Sequence, residues 1–404
     1  MNLKTTVSLS EKGNTQMLYF TSSSLSADDR RIYLISDRNG HPNVYVRDLQ
    51  TGKERALTCN PSGTLKSYVY FDGTEDEGLG KASVCLDAQR DVVYFIQGRE
   101  ICCVGLDGQV RVLAQVPRGQ MTAFTHVSGD GRYLCVPTTD GRILDYDPDV
   151  EGYGLDKRPR YDIDARVQEE QLNSYLHVYD TDTGEEVMRE TVPLCWITHV
   201  QFHPKDSRMI MYNNEWPSFN CGIRRINLFD GKTHRRLRTE GEGRSARDWV
   251  CHEMWSEDGR YVIYHGAYAD GPAFVGRADV RSGEYSEIAL PRAYNAYGHF
   301  TINRDGELVC DGYFKRAGDC PVKRENSTDN GPDPHKKNAE YISRVHPDWA
   351  AHTLDWTPLC KHGTDWMGQD AHPHAIYNHR GDTIYFSARI EGRVGVYSVA
   401  SHRE

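Results

Sequence analysis

No run of about 18 apolar residues occurs anywhere in this 404-residue chain, so a helical membrane span is not expected. The opening stretch MNLKTTVSLSEKGN has no apolar core of the kind an export signal needs, which predicts a cytoplasmic protein. Eleven cysteines are present, an odd number without CxxC spacing, scattered singly apart from Cys102 and Cys103. That pattern excludes a secreted disulfide framework and points to reduced, mostly buried thiols. Basic residues are outnumbered 48 to 58, leaving a net charge of −10. Such a balance argues against a general nucleic-acid binder or a ligand for anionic membranes, although a local positive site could still hold a small anionic substrate. There is no GxSxG elbow and no carboxylate pair that the sequence places at glycosidase spacing, so hydrolytic chemistry has little support. Sustained helical periodicity is missing too.

What the chain does contain is enough apolar material, 38% hydrophobic with 10% aromatic residues, to bury a large core. It also contains an internal repeat. Seven related turns, SADDRR (26–31), LDAQRD (86–91), SGDGRY (128–133), HPKDSR (203–208), SEDGRY (256–261), NRDGEL (303–308) and NHRGDT (378–383), are followed by the β-rich runs RIYLIS, VVYFIQ, YLCVPT, MIMYNN, YVIYHG, LVCDGY and TIYFSA. Most units add another strand and a polar turn, as in NVYVRDLQTGKERAL. Units of this kind, about 40–75 residues apart, predict an all-β, seven-bladed β-propeller of four-stranded antiparallel blades. Closing such a ring without exposed sheet edges needs a blade built from both chain ends. The last unit offers three strands, and LKTTVSL near the N-terminus is expected to supply the fourth. A single domain over 1–404 is therefore expected, with polar, turn-rich insertions near 145–175 and 313–345.

Four histidines mark the repeat in a second way. His199, His252, His299 and His374 each stand four residues ahead of a turn, a register that would bring all four to one channel. Strand alternation points His372 the same way as His374. A lone inward histidine is as readily a hydrogen-bonded filler as a ligand, but this set with its His-x-His pair suits a metal or proton-transfer site. Imidazole nitrogens suit Mn²⁺, Fe²⁺ or Zn²⁺, and the amide oxygen of Gln369 would shift the balance towards the harder ions. His203 and His379 are expected only to decorate turns.

The stretches VCHEMWSEDGRYVIY (250–264), AYGHFTINRDGELVCDGYF (296–314) and LCKHGTDWMGQDAHPHAIYNHRGDTIYFSARIEGRVGVYSVA (359–400) resemble blades of the oligogalacturonate lyases, the cytoplasmic pectin-degrading enzymes of polysaccharide lyase family 22. THVQFHPKDS (198–207) extends the resemblance, whereas the first half is similar only to generic propeller repeats, including those of TolB-type proteins. The resemblance implies Mn²⁺, or another divalent metal, held by His299, Gln369, His372 and His374. It also implies His252 as the proton-abstracting base and Arg224, with Arg225 as rival, as an assisting arginine. His199 stands as a further candidate, to orient the sugar or assist the leaving group, and equally as a filler bonded to backbone. Asp311 and Glu253 are expected partners that set imidazole tautomers.

The implied reaction is β-elimination of a 4-linked uronate, an anionic oligosaccharide, in pectin catabolism. The inner strand QMLYFTSSS departs from the family by lacking its histidine- and asparagine-bearing stretch. This leaves open a related uronide, such as a rhamnose-linked oligosaccharide. A non-catalytic propeller that binds a protein or peptide is the reading from a different class.

Overall fold

A computed structural model describes residues 4, 6–10, 12–63, 79, 83–144, 167–215, 225–239, 248–268, 272–291, 298–312, 340–366 and 371–402. Arg224, Gln369 and most of the two expected insertions lie outside the described residues. The strands form seven antiparallel sheets, the blades of a seven-bladed β-propeller fold. Each β-rich run read from the sequence falls in the second strand of its blade or begins there: Arg31–Ser36, Val92–Gln97, Tyr133–Asp140, Asp206–Tyr212, Tyr261–Ala267, Leu308–Cys310 and Thr383–Ile390. Sheet 3 varies the pattern, because its inner strand is broken into Gln120–Thr122 and His126–Val127, both paired with Tyr133–Asp140.

Two compact units divide the chain. The first, Lys12–Trp216 with Asn227–Arg235, carries sheets 1 to 4. The second, Met1–Glu11 with Pro217–Ile226 and Arg236–Glu404, carries sheets 5 to 7. Sheet 7 takes its outer strand from the N-terminus: Val7 pairs with Ser398 and Ser8 with Tyr397. The expected closing strand is therefore present, and Leu9 continues it by donating to the carbonyl of Val396.

Burial explains why these sequences make blades. Middle strands such as Arg31–Ser36 and Val92–Gln97 are covered on both faces, so they read as continuous apolar runs. Outer strands such as Val110–Gln115 and His234–Arg236 lie largely in solvent, and the second of these, HRR, is wholly polar. Within the first unit, apolar layers join sheet 1 to 2, 2 to 3 and 3 to 4. Within the second, Ile263, Val275, Phe300 and Val345 join sheet 5 to 6, while Val309, Ile342, Ile384 and Phe386 join sheet 6 to 7. Each fully buried Val, Ile or Phe stabilises by about 1.5–3 kcal/mol.

The recurrent turns are held by side chains. Ser26, Ser128 and Ser256 each donate to an aspartate two residues on, at 2.6 Å, and that aspartate accepts the following Arg N–H. Asp87, His203, Asn303 and Asn378 do the equivalent work in the other blades by accepting backbone N–H groups of their own turns. His203 is thus a turn residue, as the sequence suggested. These short polar side chains replace the backbone partners that a reversing chain loses. All nine described cysteines are free, eight of them buried, and burial pushes the Cys85, Cys102 and Cys360 thiols up to about 12. No helix among the described residues is long and apolar enough to cross a membrane.

Candidate active site

The histidine site is built within the three-blade unit, around one carboxylate. Asp311 follows the second strand of sheet 6, Leu308–Cys310, and is fully buried. Its Oδ1 accepts the backbone N–H of His299 at 2.8 Å, and its Oδ2 lies 2.7 Å from His299 Nδ1. The same Oδ2 accepts the backbone N–H of His374 at 3.0 Å. A ring that donates Nδ1–H to a carboxylate carries its lone pair on Nε2, the form a metal ligand needs. Asp311 therefore fixes the tautomer of one histidine and the backbone of another. Gly298 allows the approach, because a Cβ there would stand 2.0 Å from the carbonyl oxygen of Gly312.

His372 and His374 do reach one side, but strand alternation is not the reason. The strand expected to carry His372 and His374 begins only at Ile376, and His374 has φ +44°. Left-handed backbone is uncommon for a non-glycine residue and is found where surrounding structure imposes it. The ligand atoms of His299, His372 and His374 all lie within 4.8 Å of one another, and all three residues are buried. The His299 ring centroid is 4.2 Å from that of His374 and 5.3 Å from that of His372. Trp366, itself at φ +59°, walls the cluster with its ring 5.2 Å from His372.

His252 arrives from sheet 5 by a different device. Cys251 pairs with His265 and Met254 with Ile263, so the inner strand holds one residue more than its partner at this point. The extra residue makes a β-bulge, which re-aims a side chain out of the ordinary alternation. At φ +51°, His252 is turned until its ring lies 4.4 Å from that of His299 and 4.8 Å from that of His265. Its Nδ1 is 2.5 Å from His265 Nε2. Burial, then the neighbouring His299, His265 and Arg225, push the His252 pKa well below the usual imidazole range. Burial, His299 and Arg225 do the same to His265.

Glu253, the next residue, is buried and 3.2 Å from Arg225 Nη1. Arg225 precedes Ile226, a β-branched residue at φ +61°, so strained backbone again sits beside the cluster. Of the two arginines singled out by sequence, Arg225 is the one within the described residues.

His199 belongs to the four-blade unit and has a network of its own. Its Nδ1 meets Thr198 Oγ1 at 2.7 Å and Asn213 Nδ2 at 3.0 Å, and its Nε2 meets the Tyr19 hydroxyl at 3.2 Å. The ring stacks on Phe124 at 4.3 Å, and Glu215 bonds both Thr198 and Asn213.

The donors of the three-blade cluster fit a divalent metal. His299, His372 and His374 offer three buried imidazoles whose ligand atoms lie within 4.8 Å of one another, a donor set of the kind that holds such ions. Gln369, the expected fourth ligand, cannot be located among the described residues. Sequence reading missed His265 and Trp366. The signal for His265 was its place in IYHGAY, opposite the inner strand, but its meeting with His252 depends on the bulge.

No family model matches the chain, and no curated protein matches it in sequence. Among solved structures, an oligogalacturonate lyase in complex with manganese aligns over 100% of this chain and 97% of its own, with TM-score 0.72 and 20% identity. An oligogalacturonate lyase from Vibrio parahaemolyticus aligns over 99% and 94%, with TM-score 0.71 and 19% identity. A streptogramin B lyase aligns over 98% and 97%, with TM-score 0.51 and 11% identity. At these identities the likeness establishes a shared fold.

Proposed function

We propose that this chain is a divalent-metal-dependent lyase that cleaves a 4-linked uronide, oligogalacturonide, by β-elimination. The observation that carries the reading is the convergence of His299, His372 and His374, with the His252 ring 4.4 Å from that of His299, in a fold shared with a manganese-bound oligogalacturonate lyase. A protein-binding platform would have no use for that set.

The ligands of the metal would be His299, His372 and His374, with Gln369 as the proposed fourth and Mn²⁺ as the proposed ion. When bound, the ion would neutralise the charge that grows on the uronate carboxylate as the C5 proton leaves. The residues of the chain do the rest. His252 accepts the C5 proton: the C5–H bond breaks, an N–H bond forms on imidazole, and the electron pair becomes the C4–C5 double bond as the C4–O bond breaks. The departing oxygen takes up a proton, and His252 returns its own to solvent. Neutral imidazole suits this task because it is free to accept a proton at working pH. Arg225, fixed by Glu253, or its neighbour Arg224, adds positive charge for the acidic sugar. Asp311 keeps the His299 lone pair turned towards the ion.

Incubation with oligogalacturonides and Mn²⁺ while ultraviolet absorbance is recorded tests the reading, since elimination creates a conjugated, absorbing product and hydrolysis does not. Rising absorbance that chelator abolishes is the expected result. No unsaturated product from oligogalacturonides or from rhamnose-linked uronides would refute it.

A further inference from the structure

The histidines in or just before the inner strand of three blades face one common position near the end of the second strand. Opposite His199 it is Asn213, opposite His299 it is Asp311, and beside His252 it is His265, which pairs directly with Cys251. Asp311 uses this position to hold the ring of His299. His265 is placed to do the same for His252, with Nε2 at 2.5 Å from His252 Nδ1 and the two rings within 15° of parallel. Apolar walls keep it there: His265 is buried, with Trp249 edge-on at 5.3 Å and Phe300 at 5.6 Å.

We propose that His265 is the positioning residue for His252, accepting its Nδ1–H and thereby leaving His252 Nε2 unprotonated for the sugar C5 proton. The inference rests on the reading of His252 as the base. The chemistry follows from the tautomers. Two neutral imidazoles this close share one hydrogen bond, so one ring must donate and the other accept. If His252 donates from Nδ1, its basic nitrogen is Nε2. When Nε2 takes a proton, the resulting imidazolium keeps Nδ1–H directed at the lone pair of His265, which spreads the new charge without moving a second proton. This is the orienting part of a catalytic triad, played by a neutral ring. The same position thus carries a carboxylate, Asp311, behind a proposed metal ligand and an imidazole, His265, behind the proposed base.

Cys251 lies close to both rings, and the trio could in principle hold an ion. The nitrogen separation of 2.5 Å speaks for a hydrogen bond, because two nitrogens bound to one ion at about 2.0–2.1 Å stay roughly 3 Å apart.

The test compares His265→Leu, which fills the space without an acceptor, with His265→Gln, whose amide oxygen can stand near the lost Nε2. In the wild-type protein loaded with Zn²⁺ and labelled with ¹⁵N at histidine, long-range nitrogen–proton spectra should show His252 protonated at Nδ1 and bare at Nε2, and His265→Leu should abolish that preference. With oligogalacturonide and Mn²⁺, His265→Leu should lower kcat about 100-fold with KM within about 2-fold, and His265→Gln should recover to within about 10-fold of wild type. Metal content should remain at one ion per chain throughout. A wild-type His252 protonated at Nε2 would overturn the proposal. So would equal loss in the Leu and Gln variants with fold and metal intact, or a second ion in the wild type that His265→Leu removes. Because the nitrogen spectrum reads the pairing without turnover, an inactive wild-type chain with the expected spectrum would count against the lyase reading and for the pairing.

Discussion

Blade 4 and blade 6 start from the same design and end with histidines of different character. In each, the histidine before the inner strand donates its backbone N–H to a side-chain oxygen opposite, at 2.8 Å, and accepts the backbone N–H of that same residue. The opposite residue is Asn213 in one blade and Asp311 in the other. Asp311 has a second oxygen, and it holds His299 Nδ1. Asn213 has an amide nitrogen there, a donor that cannot accept a ring proton, and Thr198, Glu215 and Tyr19 complete a network that engages both nitrogens of His199. One atom type, oxygen or nitrogen, separates a ring whose Nε2 is turned towards other imidazoles from a ring bonded at both nitrogens and stacked on Phe124.

The comparison can be broken from the ligand side first. His374→Ala, or His372→Ala, should remove bound metal and reduce turnover to background, checked by metal analysis and the absorbance assay, while the circular dichroism of the sheets is unchanged because the core lies in the layers between blades. His252→Ala should leave metal content at wild-type level and lower kcat by about 10²–10⁴, the usual worth of a positioned base. Asp311→Asn makes blade 6 imitate blade 4. With an amide donor facing Nδ1, the His299 proton moves to Nε2, and metal affinity measured by competitive titration should fall about 10–100-fold.

The smallest effect concerns the four-blade unit, where buried imidazoles support the fold. His126 donates from Nε2 to the Thr21 carbonyl and accepts the Phe202 N–H at Nδ1, so protonating Nδ1 would break the bond from Phe202. Burial lowers its pKa to about 4, against about 6.5 in the unfolded chain. A histidine depressed in this way contributes stability that is complete above the unfolded value and lost as pH falls towards the folded one. Between pH 6.5 and 5.5 the loss should be about 1 kcal/mol, read from urea unfolding, and His126→Gln should flatten that part of the pH profile.

Much of this was legible in the residues. Seven turns with their β-rich runs specified seven second strands, and LKTTVSL announced the strand that completes sheet 7. The histidine register singled out His199, His252, His299 and His374, of which His199 lies in a separate network in the four-blade unit, and Asp311 stood out as a carboxylate partner. His265 did not, since only the bulge at His252 brings the two rings together, and a bulge inserts a residue without a local sequence signature. Nor did the reason why His372 and His374 share a side, which lies in the left-handed backbone at His374 and in the Asp311 bond to its N–H. Both are long-range constraints that alternation cannot foresee.

By itself, then, the sequence determined the repeat, the strand order and the identity of the imidazoles, because period-two burial and turn chemistry are local properties written into each unit. Tertiary structure alone decided which ring nitrogen each histidine presents. That depends on the partner across the strand, on Asn213, His265 or Asp311, and a proton's position on an imidazole is set by the nearest donor or acceptor in space.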